Sequence, residues 1–153
     1  MNRSPKHLRE RVGHMIERCR EEGMNVTPQR IAIYRALLES EDHPTPEVLF
    51  RIVSAEMPSL SLATIYKTLD ALASIGLVRS VAIDTDKRRY DANDSPHHHL
   101  VCSSCGSIRD YYSDEFDALV PNSPVRGFVP QNVSVNITGI CVGCRRKRKE
   151  TTA

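Results

Sequence analysis

Ser61-Leu62-Ala63-Thr64-Ile65-Tyr66-Lys67-Thr68-Leu69-Asp70-Ala71-Leu72-Ala73-Ser74-Ile75-Gly76 is the stretch on which the fold turns. Ser61 is a side-chain N-cap, and Leu62, Ile65, Leu69 and Leu72 recur at helical spacing. Gly76 supplies the left-handed stop that ends such a helix. The opposite face shows Thr64, Lys67 and Thr68. After Gly76 the pattern changes: Leu77 to Ile83 and Arg88 to Tyr90 read as two strands around the polar turn Asp84-Thr85-Asp86-Lys87. Upstream, Thr45-Pro46-Glu47 opens a helix with Val48, Leu49, Ile52 and Val53 that stops before Pro58. Thr27-Pro28-Gln29-Arg30 opens another with Ile31, Tyr34, Leu37 and Leu38. In both, a threonine N-cap precedes a proline at the first helical position, where its missing N–H costs nothing. Leu8, Val12, Met15, Ile16 and Cys19 form the stripe of a first helix, closed by Gly23. Helices in series followed by a hairpin predict a winged helix over residues 1–91.

The chain has 153 residues, 40% hydrophobic and 26% charged, a composition that supports a folded protein rather than a disordered one. A net charge of +2 is too small to argue for nucleic-acid binding without a clustered basic surface. No apolar run reaches the roughly eighteen residues of a membrane span, and Met1 to Arg11 lack the apolar stretch of a signal peptide. A cytoplasmic protein without membrane contact is expected. Beyond Asp91 the turn-rich residues Asn93, Asp94, Ser95 and Pro96 mark a hinge over 92–96. The second domain, 97–153, shows strand patterns at Ile108 to Tyr112 and Val133 to Ile140, and a short helix near Asp114 to Val120. It ends in a basic tail, Arg145-Arg146-Lys147-Arg148-Lys149, read as a disordered, solvated charge run without a site. The predicted class is α+β: a winged helix plus a C-terminal α/β domain.

In a reducing compartment, Cys102-Ser-Ser-Cys105 and Cys141-Val-Gly-Cys144 read as metal ligands rather than disulfide partners. The alternative is four ordinary buried cysteines or a redox pair, and a thiol-redox site would explain only one of the two pairs. Each pair presents two sulfurs from one turn, and the four complete a tetrahedral thiolate set for Zn(II). Such a set leaves no open coordination position, so the zinc is structural and stiffens a small domain with a modest core. Cys19 lies on the apolar stripe of the first helix and reads as a core cysteine.

His97-His98-His99 precede the first cysteine pair. In an extended segment His97 and His99 point to one side and His98 to the other. Two imidazoles with Asp91 upstream and Asp110 downstream suit Fe(II), Mn(II) or Zn(II). On residue types alone this is a second metal site or a solvated histidine cluster, and both stay open.

Taken together these features resemble the ferric uptake regulator family of metal-sensing repressors, over almost the whole chain. The matching residues are Thr27-Pro28-Gln29-Arg30, His43-Pro44-Thr45, Ser61 to Leu69 with Gly76-Leu77-Val78, Arg89-Tyr90-Asp91, His97 to Gly106, and Cys141 to Cys144. The resemblance implies a regulatory Fe(II) or Mn(II) at the hinge, bound by His43, Asp91, His97, His99 and Asp110. It also implies a homodimer, with 97–153 as the dimerisation domain, whose two winged helices match half-sites of a double-stranded DNA operator when metal is bound. An aspartate at Asp110 resembles the peroxide-responsive branch, whereas the iron-uptake branch more often has glutamate there. The family's additional metal site uses a late histidine. Here no histidine follows His99, the aligned stretch reads Pro130-Gln131-Asn132-Val133, and Pro96 and His98 replace other ligands, so that site is not expected. The branch implies that Fe(II) reduces peroxide and that a ligand, His43 or His97, is oxidised, whereas Mn(II) gives a repressor that responds poorly to peroxide.

For DNA, the outer face of the 61–75 helix offers hydroxyls, Lys67 and Tyr66, and its N-terminus can meet a phosphate. Ser61, Ala63, Thr64, Tyr66, Lys67 and Thr68 are the candidate contacts, with Tyr66 partly in the core and only its hydroxyl at the DNA. Arg30, Arg88 and Arg89 are phosphate candidates or solvated charges. The same helix would also serve to bind a protein. An enzyme is not expected, since no His-Glu-x-x-His helix, nucleophile elbow or phosphate-cradling glycine loop is present. An iron-responsive repressor without peroxide sensing is the alternative, and a zinc-dependent enzyme or adaptor a more distant one.

Overall fold

The computed structural model describes residues 4–40, 42–81, 88–121, 123–130 and 133–150. The chain forms two compact units, dividing between Asp94 and Ser95.

The first unit begins with four helices: α1 (Pro5–Glu21), α2 (Pro28–Glu39), α3 (Pro46–Glu56) and α4 (Leu62–Ser74). Each starts where a hydroxyl meets an orphan amide: Ser4, Thr27, Thr45 and Ser61 accept hydrogen bonds from the N–H groups of His7, Arg30, Val48 and Thr64. Two of the helices close by the same device. At Gly23 and Gly76, φ is 67° and 76°, and the next residue donates back across the last turn, Met24 to Cys19 at 2.7 Å and Leu77 to Leu72 at 3.0 Å. That geometry requires a left-handed residue, which glycine adopts without steric cost. The helices enclose Met15, Cys19, Ile33, Tyr34, Leu38, Leu49, Ile65, Leu69 and Leu72, all without solvent exposure. β1 (Arg79–Val81) and β2 (Arg89–Asp91) pair antiparallel with Ser80 opposite Tyr90, giving the winged helix its hairpin. Of the expected 77–83, Leu77 and Val78 lie outside the strand; Ala82, Ile83 and the turn 84–87 lie outside the described residues.

Arg11 supplies a tie that the hydrophobic pattern did not announce. It sits on the buried side of α1 and donates to the Ala92 carbonyl and the Tyr34 hydroxyl, with an ion pair to Asp94. Ala92 and Asp94, placed in the hinge by composition, are therefore anchored to the first unit.

The second unit is a three-stranded sheet, β4 (Ile108–Tyr111), β3 (His98–Cys102) and β5 (Asn136–Gly139), in the order β4-β3-β5. β3 pairs antiparallel with β4 and parallel with β5, so the chain must cross over between β4 and β5. The crossover includes a single helical turn, α5 (Asp114–Asp117). β5 is shorter than the predicted 133–140. The basic tail is corrected: residues 142–150 form a helix, α6 (Val142–Glu150), not a disordered run. Its first turn starts at the second cysteine pair, where the Arg145 N–H donates to the Cys141 carbonyl at 2.9 Å. Nucleation is the costly step of helix formation, and a fixed first turn removes it.

Candidate metal centres and nucleic-acid interface

Cys102 ends β3, Cys105 lies in the turn that follows, Cys141 comes just after β5 and Cys144 is in the first turn of α6. The four sulfurs lie within 4.8 Å of one another, and Cys105 Sγ and Cys141 Sγ are 3.8 Å apart. A tetrahedral zinc with Zn–S near 2.3 Å requires sulfurs about 3.8 Å apart, so the donor set fits Zn(II). The backbone prepares the site for thiolates. The Cys141 N–H donates to Cys102 Sγ at 3.3 Å, and this bond, helped by the Cys105 N–H, brings the Cys102 thiol down to about 6. At Cys144 the Ser104 hydroxyl acts downward, but the neighbouring Cys105 and Cys141 outweigh it and push the thiol up to about 11. Crowded like charges titrate apart in this way, and a divalent cation reverses it by favouring all four thiolates.

Cys19 is a core residue. It is fully buried, its Sγ is 3.6 Å from Met15 Sδ, and burial pushes its thiol up. That is the environment of an inert cysteine rather than a reactive one.

The five hinge candidates fall into two sets, one in each unit. In the first, β2 lies against the loop between α2 and α3: Tyr90 N–H donates to the Pro44 carbonyl at 3.2 Å and Arg89 Nη1 to the His43 carbonyl at 3.1 Å. That clamp brings His43 Nδ1 to 3.9 Å from Asp91 Oδ1. In the second unit, His99 is the cross-strand partner of Asp110, His97 Nε2 is 3.9 Å from Asp110 Oδ1, and the His97 and His99 rings are 4.9 Å apart. His97 Nδ1 donates to the Ser95 carbonyl at 2.8 Å, which leaves the lone pair on Nε2, the nitrogen nearer Asp110. Such a bond from the far ring nitrogen to a carbonyl is the usual outer-shell support of a metal-binding imidazole. Tyr112 donates to Asp110 Oδ2 at 3.2 Å and thereby holds the carboxylate.

His98 faces the other way, as alternation requires. It is fully buried, its Nδ1 accepts from the Val135 N–H at 3.3 Å, its Nε2 is 3.4 Å from Asp117 Oδ1, and its ring meets Phe116 edge-on at 5.3 Å. Sequence reasoning gave His98 no role; it fastens β3 to α5 and to the lead into β5.

On α4, Ala63 and Lys67 are exposed, and Ser61 and Thr64 share a 2.9 Å hydroxyl contact at the cap. Thr68 is corrected: it is buried, because it falls one turn from Leu72 on the inner face, and it leaves the DNA set. Tyr66 donates a 2.7 Å hydrogen bond to Glu47 Oε1. Arg30 donates to the Asn25 carbonyl and Arg89 to that of His43, so both serve within the unit; Arg88 is exposed. Arg11 was missed altogether. It falls three residues after Leu8 and four before Met15, on the inner side of the helix, but the apolar stripe itself gives no notice of a buried guanidinium.

Among known proteins, the sequence model described as the Ferric uptake regulator family matches residues 21–138. The peroxide-responsive repressor PerR of Staphylococcus epidermidis is 32% identical over 143 residues, 90% of this chain and 95% of that one. The peroxide operon regulator of Bacillus subtilis is 33% identical over 135 residues, 86% of this chain and 92% of that one. Among solved structures, the Campylobacter jejuni peroxide stress regulator is 31% identical with a TM-score of 0.61, covering 76% of this chain and 89% of that one. The chain belongs to the ferric uptake regulator family.

Proposed function

We propose that the chain is a metal-dependent transcriptional repressor which binds double-stranded DNA as a homodimer and senses peroxide. The observation that carries this reading is the division of ligands: His43 and Asp91 meet in one unit, and His97, His99 and Asp110 in the other. Two imidazoles and a carboxylate leave coordination positions open on a divalent ion. An ion that fills them from His43 and Asp91 favours one arrangement of the units over others, and metal acts as corepressor by its differential affinity for that state. Fe(II), when bound, supplies the electrons that reduce peroxide, and Mn(II) in the same ligands supports repression without that chemistry. His43 and His97 are the imidazoles proposed to be oxidised, one in each set. The peroxide-responsive relatives and Asp110 support the peroxide reading.

The zinc thiolates are proposed to be structural, because four thiolates leave no vacant position for a substrate. The homodimer is supported by the apolar side of the second unit, where Leu100, Ile137, Ile140 and Val142 line a 310 Å³ groove and are exposed. The family consists of transcriptional regulators, and we propose no enzymatic activity. No helix among the described residues is long and apolar enough to cross a membrane, and a cytoplasmic location is proposed.

The test is operator binding by Fe(II)-loaded protein, prepared without oxygen, before and after stoichiometric peroxide. Loss of binding with an added oxygen on the His43 or His97 peptide is expected. Full binding with unmodified histidines would overturn the peroxide reading and leave the iron-responsive alternative standing.

A further inference from the structure

Tyr66 and Glu47 are an unexpected pair on a surface read as facing DNA. Tyr66 lies beside exposed Lys67 on α4, while Glu47 is the second residue of α3, and a 2.7 Å hydrogen bond joins them. A carboxylate on such a surface repels phosphate, which makes its presence costly for simple electrostatic binding. The first turn of α3 explains how the charge is held, since the orphan amides and positive dipole end of a helix stabilise an anion there.

We infer that the two side chains form one specificity-determining unit: Tyr66 touches a base edge, and Glu47 is the positioning residue that decides which edges it accepts. This rests on the reading of α4 as the DNA-recognition helix. A tyrosine hydroxyl has one donor, and here Glu47 takes it. What remains at the tip is an acceptor lone pair beside an apolar ring edge. Phosphate oxygens, guanine O6 and N7, and thymine O4 are all acceptors, so none can bond to that oxygen. The amino groups of adenine and cytosine are donors, and the thymine methyl is apolar. The pair therefore favours bases that present an amino group or a methyl in the major groove, and it disfavours phosphate. Tied at backbone and hydroxyl, the ring is ordered before DNA arrives, which lowers the entropy cost of its contact. Lys67 is free to take the phosphate, giving the usual division between positioning and specifying contacts.

The experiment uses the full Mn(II)-loaded chain and two duplexes: one selected from a random library by the unsubstituted protein, and a scramble of it. Glu47→Ala and Tyr66→Phe are each expected to lower the selected-to-scrambled affinity ratio about tenfold, with the salt slope unchanged because no phosphate contact is lost. Glu47→Gln keeps an oxygen that accepts the hydroxyl. It should restore the ratio while tightening binding to both duplexes, as a repulsive charge has gone. Reselection with Glu47→Ala and with Tyr66→Phe should lose preference at the same base pair of each half-site. Thermal unfolding of the two Glu47 variants, which share the lost charge at the start of α3, controls for stability. A ratio kept within about twofold in Glu47→Ala and Tyr66→Phe, or an equal loss on both duplexes, overturns the inference and leaves the pair a brace between helices. Failure of the unsubstituted chain, loaded with Mn(II) or Fe(II), to select any sequence overturns the DNA-binding reading and this inference with it.

Discussion

Cys105 Sγ and Cys141 Sγ, 36 residues apart in sequence, lie 3.8 Å from each other at the junction of a β-turn and a strand end. A separation that fits one shared ion makes the four cysteines a single donor set. Cys105→Ser and Cys141→Ser should each reduce bound zinc from about one per chain to nearly none. The double variant should be scarcely worse than either single one. Elemental analysis with thermal unfolding checks both statements.

In zinc-free protein the pH dependence should follow Cys102. Its thiol ionises near 6 in the folded chain instead of the ordinary 9.0, so the stabilisation it provides is complete above about pH 9 and is lost as pH falls through 6. Cys144, raised to about 11, acts with the opposite sign: its contribution is present below pH 9 and is lost as pH rises through 11. The melting temperature of the zinc-free chain should thus rise between about pH 6 and pH 8, and Cys102→Ser should flatten that rise.

Arg11 makes a second kind of prediction. Hydrogen bonds from a charged, largely buried donor are worth more than neutral ones, and Arg11→Met loses those to Ala92 and Tyr34 together with the Asp94 ion pair. A loss of about 2–3 kcal/mol in urea unfolding is expected. Burial alone would raise the Asp94 carboxyl, but the Arg11 hydrogen bond and charge outweigh it and hold it below its ordinary value. Asp94→Asn should therefore cost much less, since that carboxylate is mostly exposed.

Asp110→Ala should separate the two metals. The carboxylate lies 3.9 Å from His97 Nε2 and opposite His99, away from the cysteines in role. Its removal should weaken Mn(II) binding by roughly 10- to 100-fold and leave zinc content unchanged. Competition against a fluorescent chelator reads the first, and elemental analysis the second.

Lys67→Ala should weaken DNA binding evenly across sequences and reduce the salt slope by about one. An altered base preference would show that Lys67 reads bases instead.

Much of the first unit was legible because its signals are local. Thr27-Pro28, Thr45-Pro46 and Ser61 each fix a helix start within one turn, and Gly76 fixes an end. The cysteine spacing gave the thiolate set for the same reason. What escaped depends on partners distant in sequence. Arg89 turns inward because the His43 carbonyl, 46 residues away, takes its guanidinium. The basic run is helical because its first turn begins at Cys141, whereas composition alone records only the repulsion among Arg145, Arg146, Lys147 and Arg148. The crossover that sets β5 parallel to β3 has no local sign at all.

That parallel pairing gives the thiolates a further consequence. Cys102 is level with Gly139, and the Ser103 N–H donates to the Gly139 carbonyl at 2.8 Å, so a clamp on Cys102 and Cys141 pins the register of the two strands. Successive strand residues face opposite ways, and a slip of one position would turn His98 outward while hiding its neighbours. Alternation pairs His97 with His99, and the register decides which face that pair takes. The cysteine clamp at the far end of β3 is therefore expected to help hold the face of that pair, although it touches none of the three imidazoles.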